Sequence, residues 1–414
     1  MDNILIGLTG SFGAGSTTTA DFLTTKDFKF KKISLSQYLK DNIKKVDPEF
    51  LKKEEKERRQ LLQDYGDKLR LKNGNSFLVD VVEKEIKKNL ETDKVVVDSI
   101  KNIEEINKLR NISNKFYLFA IDAKIENRWE RLKSNYCDDY SSFVSDDKRD
   151  SGEDQPVCGQ QVSNCILKAD FLINNDDPFF INRHKNININ IESFGQKIKS
   201  YLYLIDNPGG RPPSIDELSM SYSICLSLKS PCLQRKVGAL IINEVFDNKG
   251  FLIDFEIISQ GFNNPPKEIE NCYIKRACQR HLVLDEYENE TKFCRNCGKK
   301  LKFKKNGEKF CKSHDRKYLK LPSKILDLCR ALHAEENAIL TAGKYGLPLN
   351  STVLYTTTYP CNDCAKKIIR SQIKKVIYLE PYPVQQAMKA LEESGIITQR
   401  YEGVNPNSFN KYLS

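Results

Sequence analysis

The run NPGGRPP at residues 207–213 constrains this chain more than any other stretch. Three prolines and two glycines in so short a span interrupt any helix or strand ladder, because proline lacks a backbone donor and glycine is conformationally free. On the N-terminal side, apolar runs alternate with helix-length polar stretches. NILIGLTG, KVVVDSI (94–100), KFYLFAID (115–122) and ADFLINND (169–176) read as strands, and KEEKERRQLLQDYGDKLR as the clearest helix. Strands separated by helix-length segments predict a parallel sheet covered on both faces. Beyond the linker a second α/β pattern begins, with a helix at about 215–229 and strands in VGALIIN and FEIISQGF. A basic, cysteine-containing insertion follows at about 266–325. The pattern then resumes with HAEENAILTAGKYG as helix, STVLYTTT as strand, CNDCAKKIIRSQ as helix and KVIYLEP as strand. The expected organisation is one domain over 1–205, a linker over 206–215 and a second domain over 216–414 that carries the insertion.

Composition matters here for compartment and partners. The N-terminus MDNILIGLTG has no basic segment ahead of its apolar run, so it reads as a first strand and not a secretion signal. No apolar stretch reaches the ~18 residues of a membrane span. A cytoplasmic protein is the expectation, and in that compartment 13 cysteines point to metal or catalysis more than to disulfides. The net charge of +10 suits a phosphate-bearing partner but equally suits solubility. A single tryptophan, Trp129, offers little for a stacking platform.

The segment TTTYPCNDCAKKII, residues 356–369, places Cys361 and Cys364 three apart at the start of a helix. Alone, such a pair suits a metal site, a redox pair or two core thiols. Upstream, CRALHAEENAIL supplies His333 and Glu335, and His-x-Glu followed by Pro-Cys-x-x-Cys is the signature of zinc-dependent nucleobase deaminases. The residue types fit that chemistry. Zinc takes imidazole and thiolate ligands and, in catalytic sites, leaves its fourth position to water. At a helix start both sulfurs can face one point, and the helix N-terminus favours thiolate. Attack of water on C4 of cytosine also needs a carboxylate to move protons to N3 and to the departing amino group. Glu335 is placed for that, whereas Glu336 should point away.

On these residues, the C-terminal half, over roughly 216–400, resembles the deoxycytidylate deaminases. CLQRKVGALII with SQGFNNPP is similar to that family's opening strands, and LYTTTYPCNDCAKKIIRSQIKKVIYLEPYP to its catalytic segment. The run TT-x-PC-x-x-CAK-x-II…EPYP most resembles two-domain anti-phage dCTP/dCMP deaminases, in which a P-loop domain precedes the deaminase. The resemblance implies a five-stranded sheet packed between helices and a zinc-dependent hydrolase converting dCMP, dCTP or both to uracil nucleotides. It further implies depletion of the deoxycytidine nucleotide pool during phage infection, a homo-oligomer and, as a family trait on which the sequence is silent, an inhibitory small RNA. It places Asn263 near the sugar, phosphate contacts near Arg235, and Tyr382 beside the pyrimidine. Turn chemistry before Pro265 and Pro266 is the alternative for Asn263, and simple packing the alternative for Tyr382. Where relatives follow EPYP with a basic residue, this chain has Val384.

FCRNCGKKL (293–301) and FCKSH (310–314) look like two knuckles of a zinc ribbon, with Cys294, Cys297, Cys311 and His314 closing a structural site. Cys272, Cys278, His281 and Cys329 lie nearby in the sequence as exchangeable ligands or ordinary thiols. At the N-terminus, GLTGSFGAGSTTT sets Gly10, Gly13, Gly15, Ser16 and Thr17 in a P-loop frame, but Ser16 stands where a P-loop has its phosphate-reaching lysine. RRQLLQDYGDKLR, VVVDSIKNIEEINKLR with Asp98, and ADFLINND resemble the nucleoside-monophosphate and dephospho-CoA kinase branch. That resemblance implies a P-loop kinase-like fold. Without the lysine, a module that binds a nucleotide with Mg2+ as an effector or for oligomerisation is the expected role. Two rival functions remain open at this point: a cytosine deaminase acting on single-stranded DNA or RNA, and a nucleotide-sensing protein with a silent deaminase site.

Overall fold

The computed structural model describes residues 3–152, 159–176, 189–282, 300–303, 309–311, 317–318, 329–381 and 385–413. The chain forms two compact units, Met1–Glu217 with Tyr401–Ser414, and Leu218–Arg400.

In the first unit β1 (Leu5–Gly10) enters a glycine loop that opens α1 (Ser16–Leu23). The chain continues through β2 (Phe30–Ser34), α2 (Leu35–Val46), α3 (Glu55–Asn73), α4 (Phe77–Leu90), β3 (Lys94–Asp98) and α5 (Ile103–Ile112). It goes on through β4 (Phe116–Asp122), α6 (Ile125–Leu132), α7 (Tyr140–Ser151), α8 (Val162–Leu167), β5 (Phe171–Asn174) and α9 (Ile189–Asp206). The five strands pair in parallel in the order β5-β4-β1-β3-β2. Consecutive residues are buried along β1, β3 and β5, as the unbroken apolar runs demand of strands covered on both faces. Ile6, Leu8, Val96, Phe119 and Phe171 join Leu23 and Leu202 in the core. The sheet pattern expected from the sequence is thus present.

Among the described residues of this unit, several buried charges are paired. The Arg70 guanidinium donates to Glu105 at 2.9 Å, both side chains being almost fully buried. Asp150 on α7 accepts from Arg59 at 2.6 Å, Lys101 at 2.9 Å and Gln63 at 3.0 Å. Burial by itself raises the Asp150 carboxyl, but Arg59 and Lys101 reverse the effect and leave it below the usual carboxylate range.

In the second unit α10 (Ile215–Leu228) leads to the hairpin of β6 (Gly238–Phe246) and β7 (Leu252–Phe262). The one-turn α11 (Cys272–Lys275) and the short strands β8 (Lys302–Phe303), β9 (Lys309–Phe310) and β10 (Lys317–Tyr318) belong to the insertion. Those three strands form their own antiparallel sheet in the order β10-β9-β8. Then come α12 (Ala334–Lys344), β11 (Val353–Thr358), α13 (Asn362–Arg370), β12 (Lys375–Glu380), α14 (Gln385–Glu393) and β13 (Ile397–Arg400). The main sheet runs β13-β12-β11-β6-β7, with β11, β12 and β13 parallel and β6 antiparallel to both its neighbours. This is the five-stranded sheet that the resemblance implied. Helix α12 packs on β7 so closely that a Cβ on Gly261 would lie 2.2 Å from the Ala334 carbonyl oxygen and 2.5 Å from the Ala338 nitrogen. Buried Ala334, Ala338 and Ala342 supply the matching small face.

One expected boundary is corrected. The second domain was expected to run to residue 414, but residues 401–414 fold with the first unit. There β14 (Gly403–Val404) pairs antiparallel with β5, and α15 (Phe409–Tyr412) follows. Val404 donates its N–H to buried Glu217 at 3.0 Å, Asn405 donates to the Asp170 carbonyl at 2.9 Å, and Tyr412 enters the first core. Pairing of Val404 satisfies an edge of the first sheet, which a local sequence pattern cannot announce. Residues 207–214 separate α9 from α10.

Two predictions follow from this packing. Gly261→Ala should overpack the α12–β7 contact, costing about 1–3 kcal/mol, and should lower the denaturation midpoint of the second unit. In the first unit the stabilisation from Asp150 is present above its unfolded pKa of about 3.9 and is lost as pH falls through the lower folded value. Acid titration followed by circular dichroism should show the first unit loosening below about pH 4, with Asp150→Asn less stable at neutral pH and less sensitive to acid.

Candidate active site

The second unit gathers its chemistry where two helices begin. His333 is the residue before α12, and Cys361 the residue before α13, both in extended backbone. Cys361 follows the end of β11, so the parallel strand aims the helix start at the site in the manner of open α/β sheets. His333 Nδ1 stands 3.3 Å from Cys361 Sγ and 3.4 Å from Cys364 Sγ. Their ligand atoms all lie within 4.8 Å of one another, the one such group among the described residues. An imidazole and two thiols, largely buried and converging on one point, fit a zinc ion with an open fourth position.

The ionisation pattern fits the same purpose. The hydrogen bond from Cys364 and the imidazole of His333 hold Cys361 down at about 4, against the opposing effect of burial. Its contact with Cys361 raises His333 to about 9, while Cys364, donating to Cys361 and buried, is pushed upward. A metal bound here would replace the protons shared among the three groups.

Glu335 is 4% exposed, and burial is the main cause that raises its carboxyl to about 7. A group poised near neutrality is suited to taking and giving protons at physiological pH. Glu336 points elsewhere, as the sequence suggested. Its carboxylate accepts the His333 backbone N–H at 3.3 Å and pairs with Lys367 at 2.8 Å, tying the start of α12 to α13. Lys367 and Asn337 were not legible as site residues. Asn337 donates to the Phe262 carbonyl at 2.8 Å and so fastens α12 to the loop after β7. Only the (i, i+4) spacing of Asn337 from His333 on one helix hinted at it.

The expected substrate contacts divide. Asn263 is buried, with Oδ1 accepting from the Val237 N–H at 2.8 Å and Nδ2 donating to the Arg235 carbonyl at 2.9 Å. These bonds brace the loop before β6. Arg235 is half-exposed and pairs with Glu380, at the end of β12, at 2.6 Å. Tyr382 and Val384 lie outside the described residues, as do Cys294, Cys297 and His314 of the expected zinc ribbon. The fourth ribbon residue, Cys311, is buried.

In the first unit Gly10, Gly13, Gly15, Ser16 and Thr17 lie together between β1 and α1. Gly13 and Gly15 have φ of 79° and 103°, a left-handed backbone that favours glycine. Thr17 donates to Asp98 at 3.0 Å, and burial raises the Asp98 carboxyl. The loop carbonyls are held by Arg128 on Phe12 at 3.0 Å and by Asn175 on Ala14 at 2.7 Å.

Glu336→Ala should release both the His333 N–H and Lys367, and weaken metal retention by about tenfold or more. Competition with a chelating dye measures this, and unchanged affinity would remove Glu336 from the account.

Residues 213–380 match the family model for the cytidine and deoxycytidylate deaminase zinc-binding region. The deoxycytidylate deaminase of Enterobacteria phage T4 is 32% identical over 172 residues, covering 40% of this chain and 76% of that protein. The deoxycytidylate deaminase of Schizosaccharomyces pombe is 27% identical over 291 residues, covering 69% of this chain and 70% of that protein. That span is longer than the second unit, so the likeness reaches into the first. With the deoxycytidylate deaminase of Saccharomyces cerevisiae the identity is 27% over 190 residues, covering 46% of this chain and 45% of that protein, under half its length. The His333, Cys361 and Cys364 cluster with Glu335 falls inside the matched region, and this chain belongs to the cytidine and deoxycytidylate deaminase family.

Proposed function

We propose that the protein hydrolytically deaminates free deoxycytidine nucleotides, dCMP, dCTP or both, to the deoxyuridine nucleotides. The observation that carries this is buried Glu335, with its raised carboxyl, beside the converging His333, Cys361 and Cys364. Zinc held by those three residues would supply Lewis acidity that lowers the pKa of a water toward neutrality. The Glu335 carboxylate takes a proton from the attacking water and delivers it to ring N3 as the new C4–O bond forms. It then takes the proton of the new C4 hydroxyl and passes it to the C4 amino group, so that the C4–N bond breaks, ammonia leaves and the C4 carbonyl forms. Glu336 and Lys367 keep His333 in place, and Arg235, in the loop before β6, supplies positive charge for a phosphate once Glu380 at the end of β12 yields.

The names of the matched relatives support a free nucleotide over a nucleic-acid strand. Among the described residues no helix is long and apolar enough to cross a membrane. Depletion of that pool during phage infection, and control by an inhibitory RNA, are the roles that the resemblance to two-domain anti-phage deaminases adds. Assembly into a homo-oligomer is supported by the edge strand β7, which leaves Leu252, Ile253 and Ile257 exposed. The zinc ribbon of Cys294, Cys297, Cys311 and His314 belongs to the same proposal as a support for the insertion.

The first unit offers a second site. Its glycine loop, with Thr17 bonded to Asp98, suits the phosphates of a nucleotide with Mg2+ as effector, and Ser16 in the lysine place argues against phosphoryl transfer. Mg2+–ATP and Mg2+–dCTP binding, weakened by Thr17→Ala, tests that reading.

The main test is a product assay on dCMP, dCTP, cytidine, CTP and a cytosine-containing single strand. Conversion of a deoxynucleotide is expected, with a drop of about a hundred- to ten-thousand-fold in Glu335→Ala. Activity confined to the single strand, or activity that survives in Glu335→Ala, would overturn the proposal.

A further inference from the structure

The loop over residues 230–237 carries Arg235 and Lys236, and it has neither helix nor strand of its own. Hydrogen bonds to a single turn hold it instead. Buried Ser230 accepts the Cys232 N–H on its hydroxyl at 3.2 Å and donates to the Asn263 carbonyl at 2.9 Å. At the other end of the loop, the Asn263 side chain accepts from Val237 at 2.8 Å and donates to the Arg235 carbonyl at 2.9 Å. The Asn263 N–H adds a bond to the Val237 carbonyl at 3.2 Å. Both ends of the loop thus hang on Asn263, just beyond β7.

The turn is in turn held from α12. Asn337 Nδ2 donates to the carbonyls on either side of Asn263, Phe262 at 2.8 Å and Asn264 at 3.5 Å. Its backbone N–H donates to the His333 carbonyl at 2.9 Å, closing the first turn of the helix. Asn264 also exchanges both backbone hydrogen bonds with Leu332, the residue before His333, at 3.2 and 3.1 Å. One side chain therefore joins the helix that bears Glu335 to the turn from which the Arg235 loop hangs.

We propose that Asn337 is a positioning residue for the phosphate end of the substrate, setting the Arg235 loop relative to His333 and Glu335 through the 262–264 turn. The proposal rests on the reading of this chain as a deaminase of deoxycytidine nucleotides. Such a substrate is held at two ends, its ring at the converging ligands and its phosphate at a cation. A cation on an irregular loop must be ordered at each binding event unless the loop is already fixed, and that ordering lowers affinity. Glu380 steadies the Arg235 guanidinium at 2.6 Å, and Asn263 steadies its backbone. Asparagine suits position 337 because its amide carries two N–H donors and reaches two carbonyls at once. An ionised aspartate of the same shape offers no donor and sets its charge against those carbonyls.

Steady-state kinetics of the full chain on dCMP and on deoxycytidine, which lacks the phosphate, provide the test. In Asn337→Ala the KM for dCMP should rise about tenfold, with far smaller changes in kcat, in zinc content and in the KM for deoxycytidine. Asn337→Asp should match it, and Asn337→Gln, which keeps the amide donors, should recover part of the affinity. Ser230→Ala should raise the same KM from the loop side, and the double variant by less than the product of the two effects, since both act through Asn263. Hydrogen exchange read by mass spectrometry needs no activity: the amides of 232–237 should exchange faster in Asn337→Ala while the middle of α12 keeps its protection. An equal KM rise for both substrates, a loss confined to kcat, or unchanged exchange over 232–237 would overturn the proposal. An unaltered protein inactive on every deoxynucleotide would instead sink the deamination reading, and exchange over 232–237 would still decide whether Asn337 positions the loop.

Discussion

The chemistry of the second unit rests on the close approach of α12 to β7. Gly261 leaves room for the backbone of Ala334 and Ala338, and three alanines of the helix present a flat face to the sheet. Because the helix lies so near, its first turn reaches the level at which β11 ends and α13 begins. His333 then meets Cys361 and Cys364, and Glu335 is drawn into the interior. A bulkier residue at Gly261 would move the whole set by a fraction of its own reach, which is enough to misplace ligands that need directional donors. The Glu336–Lys367 pair completes the arrangement by joining the two helix starts directly.

The buried carboxylate gains its function from the same packing. In water a glutamate is ionised well below neutral pH. Burial of Glu335 raises it to about 7, so that it can hold or release a proton under working conditions. Glu336, one residue on, has a charged partner and a backbone donor instead. Two adjacent acids are thus separated in role by environment alone.

The first unit follows a different logic. Its buried cations are matched internally, Arg70 by Glu105, Arg128 by Asp147, and Arg59 with Lys101 by Asp150. Arg59 also lies over the Phe12 ring of the glycine loop, 3.3 Å from its centroid. Such a network fixes α3 and α7 about the loop. The positive net charge of the chain is therefore a poor guide to a polyanion partner, since many of its basic residues are neutralised where they stand.

Local patterning carried much of this protein. Continuous apolar runs meant buried parallel strands, and the His-x-Glu and Pro-Cys-x-x-Cys spacings pointed to the residues that the structure gathers as His333, Cys361 and Cys364 with buried Glu335 nearby. Those features are legible because zinc chemistry and strand burial each impose residue types at fixed short spacings. What remained hidden depends on contacts between segments distant in sequence. Nothing near residue 404 tells that its strand completes the first sheet, since the partner β5 lies in the other half of the chain. Asn263 is braced to Val237 and Arg235 because the hairpin folds its end back on its beginning. The sequence by itself determined which residue types stand at His333, Glu335, Cys361 and Cys364 and the alternation of strands and helices on either side of the proline-rich stretch. Tertiary structure decided which acid was buried, which charges were cancelled and which thiols became neighbours, because burial and proximity are properties of packed segments and not of their local spacing.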